Sequence, residues 1–331
     1  MEGRKHIGTA PAGPRGIRLR TYTARALRTS SALRTIALGA VAVGVAAPLV
    51  RRRLKLRPLV VSALSWQAPI ALALARPRTP WRDAGIYALQ MWAYIAHYEM
   101  PNDDPERLLS RLRVDYPIHA DSRLCRGIAP TVRLQRALGR PDEVRRHDLV
   151  LAWVHWSWFI VPHGTSAYIL LRHRPHFTRA ACMMAAVFDL GLVGYWTVPS
   201  APTWWAAKNG RLPSVRRIMV EVGEHFWGRL WRPLYDFLGG NPFAAMPSLH
   251  FATSVMAAHV LTDVGPMQAV LGWGYALALG FALVYLGEHY VVDLIAGLAL
   301  AEGVRGLAPA AERVLLPAAR AFQRLEPGFT R

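Results

Sequence analysis

Residues 285–300 read YLGEHYVVDLIAGLAL. Glu288, His289 and Asp293 stand there at the mouth of an otherwise apolar run, where ionisable groups are costly and their presence points to function. The rest of the 331-residue chain supplies the setting. It is 53% hydrophobic and holds 12 tryptophans, and its mean hydropathy is +0.16. The apolar residues fall in long blocks, which favours a multi-pass membrane protein over soluble domains. The fold class that follows is all-α, a bundle of about six to eight transmembrane helices.

The net charge of +19 comes almost wholly from arginines between the apolar blocks. That placement suits lipid headgroups and phosphates and argues against nucleic acid as a partner. Lysines occur only at 5, 55 and 208, and alanine is abundant, a bias consistent with a GC-rich bacterial genome and a bacterial cell membrane. Cys125 and Cys182 are too few for a disulfide or metal framework.

Five segments are expected. Residues 1–30 form a disordered basic arm. Residues 31–100 carry N-terminal membrane helices, the first about one bilayer long and followed at once by RRRLKLR (51–57), unlike a cleavage site. Residues 101–147 are too polar to span and lie along the surface as short amphipathic helices. Residues 148–308 hold spans near 148–171, 180–200, 247–264 and 267–287 and a last helix over 289–308, and 309–331 is a tail. Alternation of these helices brings three separated stretches to one membrane face: 199–217, 241–250 and 285–293.

His289 and Asp293 are one turn apart, so they share a helix face. The carboxylate can take the proton of one ring nitrogen and leave the other free as nucleophile or base. In AAMPSLHFA (244–252), Pro247 marks a helix boundary, Ser248 is a natural N-cap and His250 falls in the first turn. Two histidines, one anchored by an acid, suit phosphoryl transfer: one attacks phosphorus and the other protonates the leaving oxygen. Cations must then steady the equatorial oxygens. Lys208, Arg211, Arg216 and Arg217 are the candidates, with Ser248 as a further phosphate contact. Trp204 and Trp205 suit the headgroup belt. His155, His163, His97 and His259 read as packing or headgroup contacts, and Glu288 as facing solvent or a loop arginine.

PSLH (247–250) followed by HYVVD (289–293) resembles the second and third signature motifs of the type 2 phosphatidic acid phosphatase superfamily, which includes lipid phosphate phosphatases and vanadium haloperoxidases. The wider pattern, with VPSAPTWW (198–205), is similar to its inositol phosphorylceramide synthase-like (inositolphosphotransferase) branch. The resemblance covers about 148–308. It implies a six-helix phosphatase-like core without metal or other cofactor, His289 as a nucleophile forming phosphohistidine, Asp293 as its orienter and His250 as acid/base. It also implies an extracytoplasmic site, whereas the arginine count would make that face cytoplasmic. The match departs in two places. Ala282 and Leu283 stand where the third motif has Ser-Arg, and Val215 and Arg216 stand where the first motif places Arg-Pro after its lysine.

The expected function is therefore an integral membrane phosphatase or phosphotransferase. Its substrate would be a lipid-linked phosphate of the phosphatidic acid, polyprenyl phosphate or phosphoinositide type. Water or an alcohol acceptor such as inositol or a sugar would complete the reaction. The competing readings are an anionic-lipid transporter and a bis-histidine haem or quinone protein, the latter using pairs such as His155 with His163 or His259 with His289.

Overall fold

The structure, a computed structural model, describes residues 15–325 apart from 142 and 239, with only the backbone given for 15–30 and 236–238. It is an all-α bundle. β-type pairing among the described residues is confined to isolated bridges, among them Arg113 with Ser200 and Ser200 with Ala244.

Three helices come first: α1 (Arg15–Val50), α2 (Pro58–Ala75) and α3 (Pro80–Glu99). The polar segment folds into short helices as expected, namely α4 (Pro105–Ser110), α5 (Asp115–Leu124) and α6 (Pro130–Leu138). Next are α7 (Arg146–Trp156), a 3₁₀ turn over Ser157–Phe159, α8 (Val161–Arg172) and α9 (Arg174–Thr197). The long connection carries α10 (Thr203–Lys208), α11 (Ile218–Trp227) and α12 (Trp231–Leu238). The bundle closes with α13 (Leu249–Thr262), α14 (Pro266–Tyr285) and α15 (Val291–Gln323).

Proline punctuates this order. Pro58, Pro80, Pro105, Pro130 and Pro266 each occupy the first residue of a helix, where the missing N–H has no intrahelical partner to lose. Pro162 acts differently. It cannot donate to the carbonyl one turn back, so the span expected over 148–171 breaks at the 3₁₀ turn into α7 and α8.

Among the described residues, four helices are long and apolar enough to cross a membrane: Ser31–Val50 within α1, then α2, α9 and α14. The other expected spans are helical but do not meet that measure; α13, for example, has 14 residues. Part of the expected basic arm falls within the described residues. From Arg15 onward the backbone is helical and continuous with the first span, because Arg, Ala and Leu are strong helix formers and no proline interrupts them until Pro48. Residues 1–14 of that arm lie outside the described residues. The last helix is longer than expected. Its 33 residues reach about 50 Å, beyond a hydrocarbon core of about 30 Å.

Lipid is as apolar as a protein core, so helices in a membrane are held by close packing of small residues and by polar ties. Phe177, Met184 and Phe188 of α9 pack with Leu249 and Met256 of α13, Met91 and Tyr94 of α3, and Ala301 of α15. Two glycines bring the site's elements together. A Cβ on Gly297 would lie 2.6 Å from the Ser248 carbonyl oxygen, so α15 meets the start of α13 backbone to backbone. Gly287 has φ +85°, a left-handed value that glycine adopts without strain. It reverses the chain after α14 and comes close to the Arg216 carbonyl.

Candidate functional site

The three stretches expected at one face do meet. Ser200 N–H donates to the Phe243 carbonyl (2.9 Å), and the Gly287 carbonyl accepts from Trp204 N–H (3.2 Å) and the Thr203 hydroxyl. Ser248 N–H donates to the Asp293 carbonyl at 3.0 Å. Gln135 of α6 adds a staple, donating to the carbonyls of Arg216 and Tyr285 and accepting from Arg216 N–H.

At the centre, His289 Nδ1 lies 3.2 Å from Asp293 Oδ2. With Asp293 ionised, Nδ1 carries the proton and Nε2 holds a lone pair. His250 Nδ1 sits 3.3 Å from that Nε2, so it is the donor of that contact. Tyr290 N–H also donates to Asp293 Oδ2 (3.0 Å), fixing the carboxylate. His289 and Asp293 are buried, and Asp293 Oδ1 and the Tyr290 hydroxyl have no hydrogen-bond partner among the described residues. Ser248 begins α13 as its N-cap, its hydroxyl accepting from Phe251 N–H at 3.4 Å. That position aims the first turn, and with it His250, at His289.

Asp121 was not singled out in the sequence, and it holds the third motif in place. From α5 its buried carboxylate accepts the N–H groups of Val291 and Val292, both at 2.9 Å. It thereby satisfies donors at the N-terminus of α15 that have no intrahelical acceptor. No local pattern could have found it, since its partners lie 170 residues away.

The four candidate cations part company. Arg217 faces the motif: its Nε donates to Glu288 (3.2 Å) and its Nη2 to the Tyr235 hydroxyl (3.2 Å). Its guanidinium lies 3.8 Å from the Trp204 ring centroid and 4.9 Å from that of Tyr235, two aromatic contacts suited to a planar cation. Burial, with Glu288 nearby, pushes the Tyr235 phenol above its ordinary range, so it stays neutral beside the arginine. Arg216 turns the other way, to Glu221 and to the carbonyls of Arg140 and Glu143. Arg211 pairs with Asp115, and Lys208 is exposed at the end of α10. Of the four, Arg217 is the one held against Glu288, the residue that precedes His289. The expectation for Glu288 holds: it faces a loop arginine.

The remaining histidines separate by their partners. His97 is a packing residue with both nitrogens engaged: Nδ1 with the Ala93 carbonyl, Nε2 with Ser62 and Trp66. His163 bonds Tyr87 and stacks on Phe188, and His259 meets Glu302 at 2.6 Å. His155 packs against the site itself. Its ring centroid is 5.0 Å from that of His250, and Trp158 closes on His250 at 4.2 Å.

Comparison with known proteins identifies the family. The family model described as the PAP2 superfamily matches residues 135–306, and the chain belongs to that superfamily. Among curated proteins, it is 28% identical over 169 residues to the phosphoinositol dihydroceramide synthase of Bacteroides thetaiotaomicron, covering 46% of this chain and 53% of that one. It is 29% identical over 111 residues to the inositol phosphorylceramide synthase catalytic subunit of Schizosaccharomyces pombe, covering 31% of this chain and 26% of that one. The chain therefore aligns with about half the length of the first relative and about a quarter of the second. No solved structure matches the chain significantly.

Proposed function

We propose that this protein is a membrane-embedded phosphotransferase or phosphatase that cleaves a lipid-linked phosphate through a phosphohistidine on His289. The observation that carries the reading is the unbroken chain His250–His289–Asp293, with links of 3.3 and 3.2 Å, set beside Arg217 where apolar helices begin. In the first half-reaction His289 Nε2 forms a bond to phosphorus while the bond from phosphorus to the leaving oxygen breaks. A protonated His250 gives its proton to that oxygen, and Asp293 stabilises the positive charge on His289. In the second half, an acceptor O–H gives its proton to His250 as its oxygen attacks phosphorus and the N–P bond breaks. Water as acceptor makes the protein a hydrolase; an alcohol makes it a transferase.

In the resting structure His250 occupies the lone pair that must attack. Entry of a phosphate displaces that hydrogen bond and passes the His250 proton towards the leaving oxygen. Arg217 is the cation best placed for the phosphate oxygens, with Glu288 holding it until a substrate anion takes its place. The names of the two relatives support a phosphoinositide-type donor with a ceramide-type alcohol as acceptor.

Geometry disfavours the haem reading. His155 and His163 lie on separate helices with different partners, and His259 is nine residues from His250, about 13 Å along α13. The transporter reading is separated by assay. Purified protein in lipid vesicles would be offered phosphatidic acid, a polyprenyl phosphate, or phosphatidylinositol with an alcohol acceptor. Released phosphate, new lipids and lipid movement would all be quantified. We expect headgroup cleavage or transfer that disappears in His289→Ala and falls by about 10²–10⁴ in His250→Ala. Lipid movement without cleavage, or near-normal turnover by either variant, overturns the proposal.

A further inference from the structure

We propose that His155 is a third imidazole of this site, donating a hydrogen bond to a non-bridging oxygen of the phosphoryl group bound at His289. The inference rests on the His289 reading and extends it to a residue outside both histidine motifs. His155 is the penultimate residue of α7, is 3% exposed, and lies with its ring tilted 34° to that of His250. Through His250 it borders His289, the group a bound phosphate would touch. Its Nδ1 is buried with no hydrogen-bond partner, the only imidazole nitrogen in that state among the described residues.

An orphaned buried polar atom is costly, so a histidine kept only for packing would be satisfied, as His97 is. Among the described residues, few of the expected cations reach the site. The arginine of the usual third motif is replaced by Leu283, and Arg211 and Arg216 are bound elsewhere. Arg217 alone cannot meet three equatorial oxygens, and a neutral imidazole N–H beside His250 supplies a further donor without burying another charge. The tilted contact with His250 also limits how far that ring can turn when phosphate displaces it from His289.

The test uses the full chain in detergent and orthovanadate, a mimic of the pentavalent phosphoryl group, with affinity read by calorimetry. His155→Phe keeps ring volume and removes the donor; His155→Asn places an amide N–H near the Nδ1 position. We expect His155→Phe to weaken vanadate binding about tenfold or more, the loss of one buried hydrogen bond to a charged group. We expect His155→Asn to recover most of it. Unchanged affinity in His155→Phe, or equal losses in both variants, overturns the role of His155 while leaving the His289 reading intact. Failure of the wild-type protein to bind vanadate, or binding unaffected by His289→Ala, overturns the His289 reading itself.

Discussion

At the scale of single residues, the site separates neighbours that look alike in sequence. Arg216 and Arg217 are adjacent, yet one is tied to Glu221 and the other to Glu288. Arg217→Ala should therefore raise KM for a lipid-phosphate substrate by about tenfold or more, while Arg216→Ala should mainly lower the melting temperature. The check is steady-state kinetics beside a thermal melt, and a reversed pattern would assign the phosphate to Arg216. Glu288→Gln should leave KM unchanged or lower it, since it removes the competitor for the guanidinium. Part of this was legible: His289 with Asp293 follows from i,i+4 spacing, and His250 from its place behind a capping serine. The arginines were not, because chain order does not say which side of a loop a side chain takes; Asp115, Glu221 and Glu288 decide that in three dimensions. His155 was hidden for the same reason, being 95 residues from the ring it meets.

At the scale of elements, the decisive contact is between the starts of α13 and α15. Gly297 lets them touch, and Asp121 caps α15 from across the chain. A leucine at 297 would drive the helices apart and separate His250 from His289. Gly297→Leu should thus lose turnover even where the protein still folds and inserts, read as activity per molecule of monodisperse protein; wild-type turnover would show that the close approach is not needed. Asp121→Ala strands two backbone N–H groups and should cost about 1–3 kcal/mol, seen as a lower melting temperature together with reduced turnover. An unchanged melting temperature would show the cap to be dispensable. Helix starts were readable because proline sits at so many of them. The break at Ser157–Phe159 was not, since an apolar run masks what Pro162 does to the hydrogen-bond ladder. Nor was the helical backbone of 15–30, whose basic composition reads as an arm until it is seen continuing a span.

At the scale of the whole molecule, helix alternation alone brought three distant stretches to one face, which is why the site was legible before its cations were. The family match over 135–306 takes in α7–α9 and α13–α14 together with the connection between them. α1–α3 lie outside that match, yet α3 packs against α9 through Tyr94 and Phe188, whose rings are 4.7 Å apart. Which compartment the site faces was not legible, because arginines that hold headgroups and arginines that fix topology look the same. We expect an extracytoplasmic face, tested with Lys208→Cys in a background lacking Cys125 and Cys182. Labelling by an impermeant thiol reagent in intact cells would support it, and labelling only after lysis would place the site inside. A covalent intermediate on His289 is the central chemical step. Protein quenched during turnover and digested should yield a peptide in which His289 carries an acid-labile phosphoryl or phospho-headgroup adduct, absent from His289→Ala. A peptide that stays unmodified throughout turnover, or an adduct on another residue, would contradict it.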